Sequence, residues 1–247
     1  MIMVSHYGSY MMSSNQTPIR LWYEDVTISD EAPYALLLDG RTAHTSSGIT
    51  LAHKSYMFMQ QIQKEWQRQD TFLVLHTLPL TRLLSGFLEM DADVRLGFLE
   101  ELYNYSQHEL LCYQANAHTP LAQQQQRLWH PWLEWGNETY GHPWKTTHSI
   151  MPIIQSQTLI DAIKAYLVTL CDVQLFCYAI LTQALGSYLL TDALLRSICP
   201  PEEALACAWL EHDTHMAQWG DDPELQEKRT QLAYHIRDVL IFHGASL

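Results

Sequence analysis

Basic side chains are scarce in this 247-residue sequence: 14 Lys and Arg stand against 27 Asp and Glu, giving a formal net charge of −13. Binding to a phosphate backbone needs clustered cations, so a broad DNA or RNA surface is excluded. An anionic membrane face is disfavoured for the same reason. Phosphate-cradling loops are also missing, with neither GxxxxGK[ST] nor GxGxxG in the chain, and no Ser or Cys lies in a GxSxG elbow or a QAC setting. Nucleotide enzymology and nucleophilic hydrolysis therefore have no foothold. The five cysteines (Cys112, Cys171, Cys177, Cys199, Cys207) form an odd set without a CxxC pair, which reads as small buried thiols in a reducing compartment. Residues 1–18 lack an apolar secretory core, and the first basic residue is Arg20, so no Arg-rich presequence is visible. The expected location is the bacterial cytoplasm, or the mitochondrial matrix for a eukaryotic source.

What is present is enough for a substantial core. Hydrophobic residues make up 47% and charged ones 17%, which argues against disorder. Residues 1–80 hold 7 acidic and 5 basic side chains, and residues 81–247 hold 20 and 9, so a partner of the second part should be basic or polar where it docks. The pattern predicts an α+β chain: a polar tail over 1–18, a small β-rich domain with one packed helix over 19–82, and a helical domain over 83–247. RLWYEDVTIS, PYALLLD and TFLVLHT read as strands, with Asp39-Gly40 and Ser47-Gly48 as turns. Met59, Ile62 and Trp66 share a helix face, as do Val94, Phe98, Leu102 and Tyr105. Thr119-Pro120 opens a helix that Pro131 should kink or divide. Ser149–Gln157 reads as an extended connector, and Thr158–Ile198 as two helices or one broken near Asp172. The last helix starts at Asp222-Pro223, with Leu225, Leu232, Ile236 and Val239 facing inward.

Between Pro200 and Glu227 there are eight carboxylates and no Lys or Arg, on a stretch that reads as one helix ending at Trp219-Gly220. Leu205, Trp209, His212, Met216 and Trp219 recur at helical spacing, predicting a buried stripe beside a wet acidic flank. An acidic face beside a Trp-rich end suits gripping another protein. Within it, EHDTH puts Glu211, His212 and His215 at metal-compatible spacing, but it is neither HExxH nor HxxEH and no third ligand is evident. A hydrogen-bonded core histidine is the commoner reason for His212. Residues 173–191 are an uncharged run of about membrane-spanning length, yet Gln174, Thr182, Gln183 and Ser187 dilute it and Asp172 and Asp192 bound it, favouring an all-round-buried helix. Trp129, Trp132 and Trp135 read as core packing rather than as an exposed aromatic platform.

In order along the chain come PYALLLDGRTAHTSSGITL, KEWQRQD, LPLTRL, YSQHELLCYQA, QRLWHPWLEW, ALGSYLL and LEHDTHMAQWGDD. Together, from about Arg20 to Arg237, they resemble the assembly chaperones of the F-type ATP synthase α subunit. The resemblance implies a non-enzymatic protein without cofactor or metal. It would bind the free α subunit and shield its β-contacting surface until the hexamer forms. It implies a small β-rich domain before a larger helical one, and an acidic cluster before a WG dipeptide as the partner-binding residues: Glu211, Asp213, Trp219 and Gly220, to which the adjoining Asp221 and Asp222 are added. His212 stands where another carboxylate is usual, His215 where Gln is usual, Gln114 for an Arg and His130 for an Asp. Trp66 matches a family signature, though its stripe position suggests a structural role. The competing readings are a metal-dependent enzyme using the Glu211–His215 region and an interaction module with an unrelated partner.

Overall fold

Tyr34–Leu38, the most apolar run near the start of the chain, forms the strand on which a small sheet is built. The computed structural model describes residues 19–247, and the tail expected over 1–18 lies outside them. The elements come in the order β1 (Ile19–Arg20), β2 (Val26–Ile28), β3 (Tyr34–Leu38), β4 (Arg41–Thr42), β5 (Ala52–His53), α1 (Tyr56–Gln67), β6 (Phe72–Leu73) and α2 (Pro79–Leu88). Antiparallel β3 lies between β2 and β4 and also pairs with β5, while β1 pairs with β6. Asp39 and Gly40 both have left-handed backbones (φ 49° and 72°) and join Leu38 to Arg41, the geometry a two-residue hairpin demands. The Asp39 carboxylate also accepts the N–H groups of Glu24 and Asp25 at 2.9 and 2.8 Å. This pins residues 24–25 outside any ladder, so RLWYEDVTIS is not one strand but β1 and β2. TFLVLHT likewise shortens to β6, because Gln69 Oε1 takes the Val74 N–H (2.8 Å) and the chain turns into a 3-10 helix over Leu75–Thr77.

Met59, Ile62 and Trp66 of α1 are buried as the spacing predicts. Gln63 Nε2 donates to the Val26 carbonyl at 2.7 Å, covering the outer edge of β2. The start of α2 has Leu78 at its cap, which has no side-chain oxygen to offer. Buried Glu65 of α1 fills that role, accepting from Leu80 N (2.7 Å), Thr81 N (3.0 Å) and Thr81 Oγ1 (2.8 Å). Trp66 Nε1 then donates to Thr81 Oγ1 at 3.0 Å, and Tyr23 donates its hydroxyl to the Trp66 carbonyl at 2.9 Å. Trp66 is thus a core residue tied on both sides.

The helices that follow are α3 (Ala92–Gln107), α4 (Pro120–Leu128), α5 (His130–Tyr140), α6 (Gln157–Leu167), α7 (Asp172–Leu185), α8 (Tyr188–Leu195), α9 (Pro201–Ala208), α10 (Leu210–Trp219) and α11 (Pro223–Ser246). The chain divides into two compact units, Ala92–Leu240 on the one hand and the residues up to Asp91 with Ile241–Leu247 on the other. In the latter, Phe242 packs against Phe58 and Phe87 at 5.7 and 5.6 Å, and Ser246 meets His53 Nε2 at 3.0 Å.

In the helical unit Thr119 caps α4 by accepting the Ala122 N–H, and α5 begins with Pro131 in its first turn. Trp129 and Trp132 are core residues, Trp129 Nε1 donating to the Cys207 carbonyl at 2.9 Å. On α3 the buried side is Phe98, Leu99, Leu102 and Ser106, whereas Val94 in the first turn is exposed. The region 158–198 makes three helices rather than two. The break at Asp172 is as expected, and a second falls at Gly186, whose left-handed φ of 69° ends α7. The uncharged run 173–191 therefore falls on two short helices that are mostly buried, with Gln183 exposed and Val173, Gln174 and Ala184 half-buried. Among the described residues no helix is long and apolar enough to cross a membrane. Gly136 on α5 is needed for close approach, since a Cβ there would lie 2.7 Å from Leu189 Cδ2 of α8. Four cysteines are buried, but Cys171 is exposed at the cap of α7. Burial pushes the Cys199 and Cys207 thiols up to about 12, which leaves them inert.

Two carboxylates sit inside this unit. Asp192, with no exposed side-chain surface, accepts from Tyr178 (2.6 Å), Tyr140 (2.7 Å) and Arg196 Nε (2.7 Å). The Arg196 guanidinium also lies 4.2 Å over the Tyr166 ring. Glu109 accepts from Ser187 Oγ (2.5 Å) and the N–H groups of Tyr188 (2.9 Å), Leu189 (3.1 Å) and Leu111 (3.3 Å). Arg196→Ala should cost about 3 kcal/mol in urea unfolding because it strands a buried charge. Arg95→Ala, breaking the exposed 2.9 Å pair with Asp172, should cost less than about 1 kcal/mol; equal costs would contradict this contrast.

Burial raises the Glu109 carboxyl to about 7 against the pull of its four donors. Its contribution to stability is complete below the usual 4.5 and is lost as pH rises through about 7. His53 and His243, both lowered by burial, act in the opposite sense. The comparison with Glu109→Gln isolates the carboxyl: between about pH 5 and about pH 8 the unchanged protein should lose more stability than the variant. Parallel urea midpoints for the two would refute the assignment.

Candidate partner-binding surface

The acidic stretch forms two helices, α9 and α10, instead of one. Trp209 takes a backbone of φ −99° and ψ 2°, and its N–H turns back to Leu205 and Cys207 carbonyls before α10 restarts at Leu210. That break changes the helical phase. Leu205 and Leu210 are buried, but His212 is exposed, Met216 half-buried and Trp219 77% exposed. The stripe predicted to bury through Trp219 does not, and His212 is not a core histidine. Its ring lies on Trp209 at 4.5 Å between centroids.

The six residues singled out from the sequence fall on α10 and the turn into α11. Glu211 and Asp213 are in the first turn of α10, where a helix dipole favours negative charge. Glu211 is exposed. Asp213 is half-buried and forms an ion pair with Arg229 Nε of α11 at 3.3 Å. Gly220, with φ 102°, closes α10 through its N–H to the Met216 carbonyl at 2.9 Å, leaving the Trp219 indole facing outward. The positive φ explains the glycine. Asp221 is exposed, while Asp222 caps α11, accepting from Glu224 N at 2.9 Å and Leu225 N at 3.4 Å. Lys228 is held by Glu224 at 2.6 Å, so the nearby cation is already engaged. The result is an outward indole at the end of a helix with Glu211 and Asp213 in its first turn and Asp221 and Asp222 just beyond it, an arrangement suited to contact with another protein.

Among the described residues, no three His, Cys, Asp or Glu side chains are grouped closely enough to hold a metal ion. A further exposed feature carried no weight in the sequence: in the connector 149–156, Ile150 is 99% and Ile154 84% exposed. Its signal was an apolar SIMPII run interrupted by a proline and hence unable to bury as a helix.

Residues 20–137 match the family model of the ATP12 chaperone protein. Over those residues the chain is similar to the ATP12 chaperone family. The similarity of fold continues beyond the matched residues. Atp12 from Paracoccus denitrificans is 24% identical, with a TM-score of 0.81 over 93% of this chain and 99% of that one. The Atu1473 protein of Agrobacterium tumefaciens, itself a candidate chaperone, is 26% identical, with a TM-score of 0.81 over 91% of this chain and 85% of that one. The family model ends within α5, so α10 is related to these ATP12-type proteins by fold rather than by that match.

Asp222→Ala should lower stability by about 1 kcal/mol through loss of the α11 cap. Trp219→Ala should stay within about 0.5 kcal/mol of the parent, because its indole is outside the core. Thermal unfolding of both variants checks this division; a larger loss for Trp219→Ala would mean that the indole is a packing residue.

Proposed function

We propose that this protein is a chaperone for assembly of the catalytic head of an F-type ATP synthase, acting in the bacterial cytoplasm. In this reading it binds the free α subunit and shields the surface destined for β until the hexamer forms. The observation that carries the reading is the outward Trp219 at the end of an acidic helix, in a chain whose residues 20–137 match the ATP12 chaperone model. Similarity to a chaperone family over residues 20–137 supports a protein client, and the resemblance noted in the sequence motifs points to the α subunit as that client.

The physical logic is that of transient capture. A subunit without its partner exposes an apolar, strand-rich interface that invites aggregation. An indole on a protein surface is a typical anchor for such an interface, because it adds large apolar area with one hydrogen-bond donor. The exposed carboxylates of the same helix and its exit, Glu211 and Asp221, orient the encounter and favour a basic docking patch, while rim charges add little to final affinity. Asp213 and Asp222 are held by Arg229 and by the α11 cap. Neither a catalytic residue nor a cofactor is needed for this role.

Glu211→Lys and Trp219→Ala should each reduce co-purification of the α subunit several-fold in cell extracts, with the fold retained by circular dichroism and stability lowered by no more than about 1 kcal/mol. Glu211 is the cleaner charge reversal, since Asp213 is paired with Arg229. Full retention of α by both variants would remove this surface from the mechanism, and selective capture of a different protein by the parent chain would remove α as the client.

A further inference from the structure

The sheet-containing unit holds a second surface, opposite in character to the acidic helix. A groove of about 810 Å³ opens between the β4 side of the sheet and helices α1 and α2, lined by Trp22, Tyr23, Arg41, Thr42, His44 and Arg82 among others. Trp22 is half exposed at its wall and meets Tyr23 edge-on at 5.7 Å, and Tyr23 in turn lies 5.6 Å from Trp66. The aromatic wall is therefore anchored in the core at one end and open at the other.

Two features indicate what this groove accepts. The first is a strand edge. β4 is terminal in the order β2-β3-β4. Leu38 stands opposite Arg41, and the Ala43 N–H turns inward to Leu36 at 2.8 Å, so by antiparallel alternation the backbone N–H and C=O of Thr42 point away from the sheet. A terminal strand of this kind is a template for an added strand. The second is charge. The lining has two arginines, of which Arg41 is exposed, and one carboxylate, Asp39, which is bound to two backbone N–H groups and interacts with Arg41, while Glu89 at the rim accepts from Ser46 and Ser47. In a chain with 27 acidic and 14 basic residues, this lining departs from the overall acidic balance and presents the exposed Arg41 beside an aromatic wall.

We infer that this groove binds an extended segment of the client polypeptide, which adds a strand at β4, sets an apolar side chain against Trp22 and Tyr23, and places a carboxylate on Arg41. The inference rests on the chaperone reading above and adds a second contact whose preference is for acidic rather than basic sequence.

The test uses the full chain. Trp22→p-benzoylphenylalanine is irradiated with purified α subunit, and overlapping synthetic peptides spanning α are titrated against the parent, Arg41→Glu and Arg41→Lys. Circular dichroism verifies that the exposed substitutions leave the fold intact. The expected result is a cross-link from position 22 to an α segment containing Asp or Glu. Peptides from that segment should bind about tenfold more weakly to Arg41→Glu, the scale of one reversed charge pair, with binding largely kept in Arg41→Lys. If α is captured but position 22 gives no cross-link and Arg41→Glu binds every peptide as the parent does, the groove inference fails while the chaperone reading survives. If the parent captures no α at all, both fall.

Discussion

Buried carboxylates accepting backbone N–H groups from a helix distant in sequence are the constraint on which both units are built. The first turn of any helix leaves N–H groups without intrahelical partners, and leaving them unsatisfied inside a protein costs on the order of 1–3 kcal/mol each. α2 starts at Leu78-Pro79, with no capping side chain, and depends on Glu65 from α1. α8 starts at Ser187, which caps Leu190, but its Tyr188 and Leu189 N–H groups are taken by Glu109, which is distant in sequence. In each case one acidic side chain fixes the position of a whole helix. Asp192 extends the principle by binding two tyrosines and an arginine inside the same packed region.

This use of acid in the interior clarifies the exterior. Glu65, Glu109 and Asp192 are consumed by structure, and so is Asp222 by its cap. The exposed carboxylates of α9 and α10 have no such duty, Asp213 excepted. Their charge is available to a partner, which is why the proposed grip is assigned to Glu211 and Trp219 and not to the acidic residues in general. The same sorting separates the groove of the sheet unit, where Asp39 is spent on the chain itself and Arg41 remains open to solvent.

Local signals in the sequence were legible where local chemistry decides the structure. The hairpin at Asp39-Gly40, the cap at Thr119, the division at Pro131 and the break at Asp172 each depend on residues within a few positions. The α+β class followed from those signals together with a change of hydrophobic period. Long-range chemistry left no such trace. Nothing in QIQKEWQRQ announces that Glu65 completes another helix, and YSQHELL does not show Glu109 reaching Ser187. The acidic stretch was misread for a related reason: a 3.6-residue stripe presumes one continuous helix, and the turn at Trp209 resets its phase, exposing His212 and Trp219. The acidic, Trp-ended character survived that error because it depends on composition alone. The groove was unreadable, since its walls come from Trp22 to Ser85 and meet only through the sheet.

A chaperone that holds a client by contact alone must also let it go, and the surfaces described here suit that requirement. The sequence offers no phosphate-binding loop with which nucleotide hydrolysis could drive release. Release must then come from a competitor that binds the client better, as the β subunit would under the proposed reading. Competition proceeds quickly when the held interface can be opened a piece at a time. Rim carboxylates regain most of their hydration on separation and so add little to the barrier, whereas a single large buried apolar interface would have to part at once. Under the proposed reading, an outward indole on an acidic helix would make a grip that is oriented on arrival and readily replaced, while the buried carboxylates within each unit keep its helices fixed.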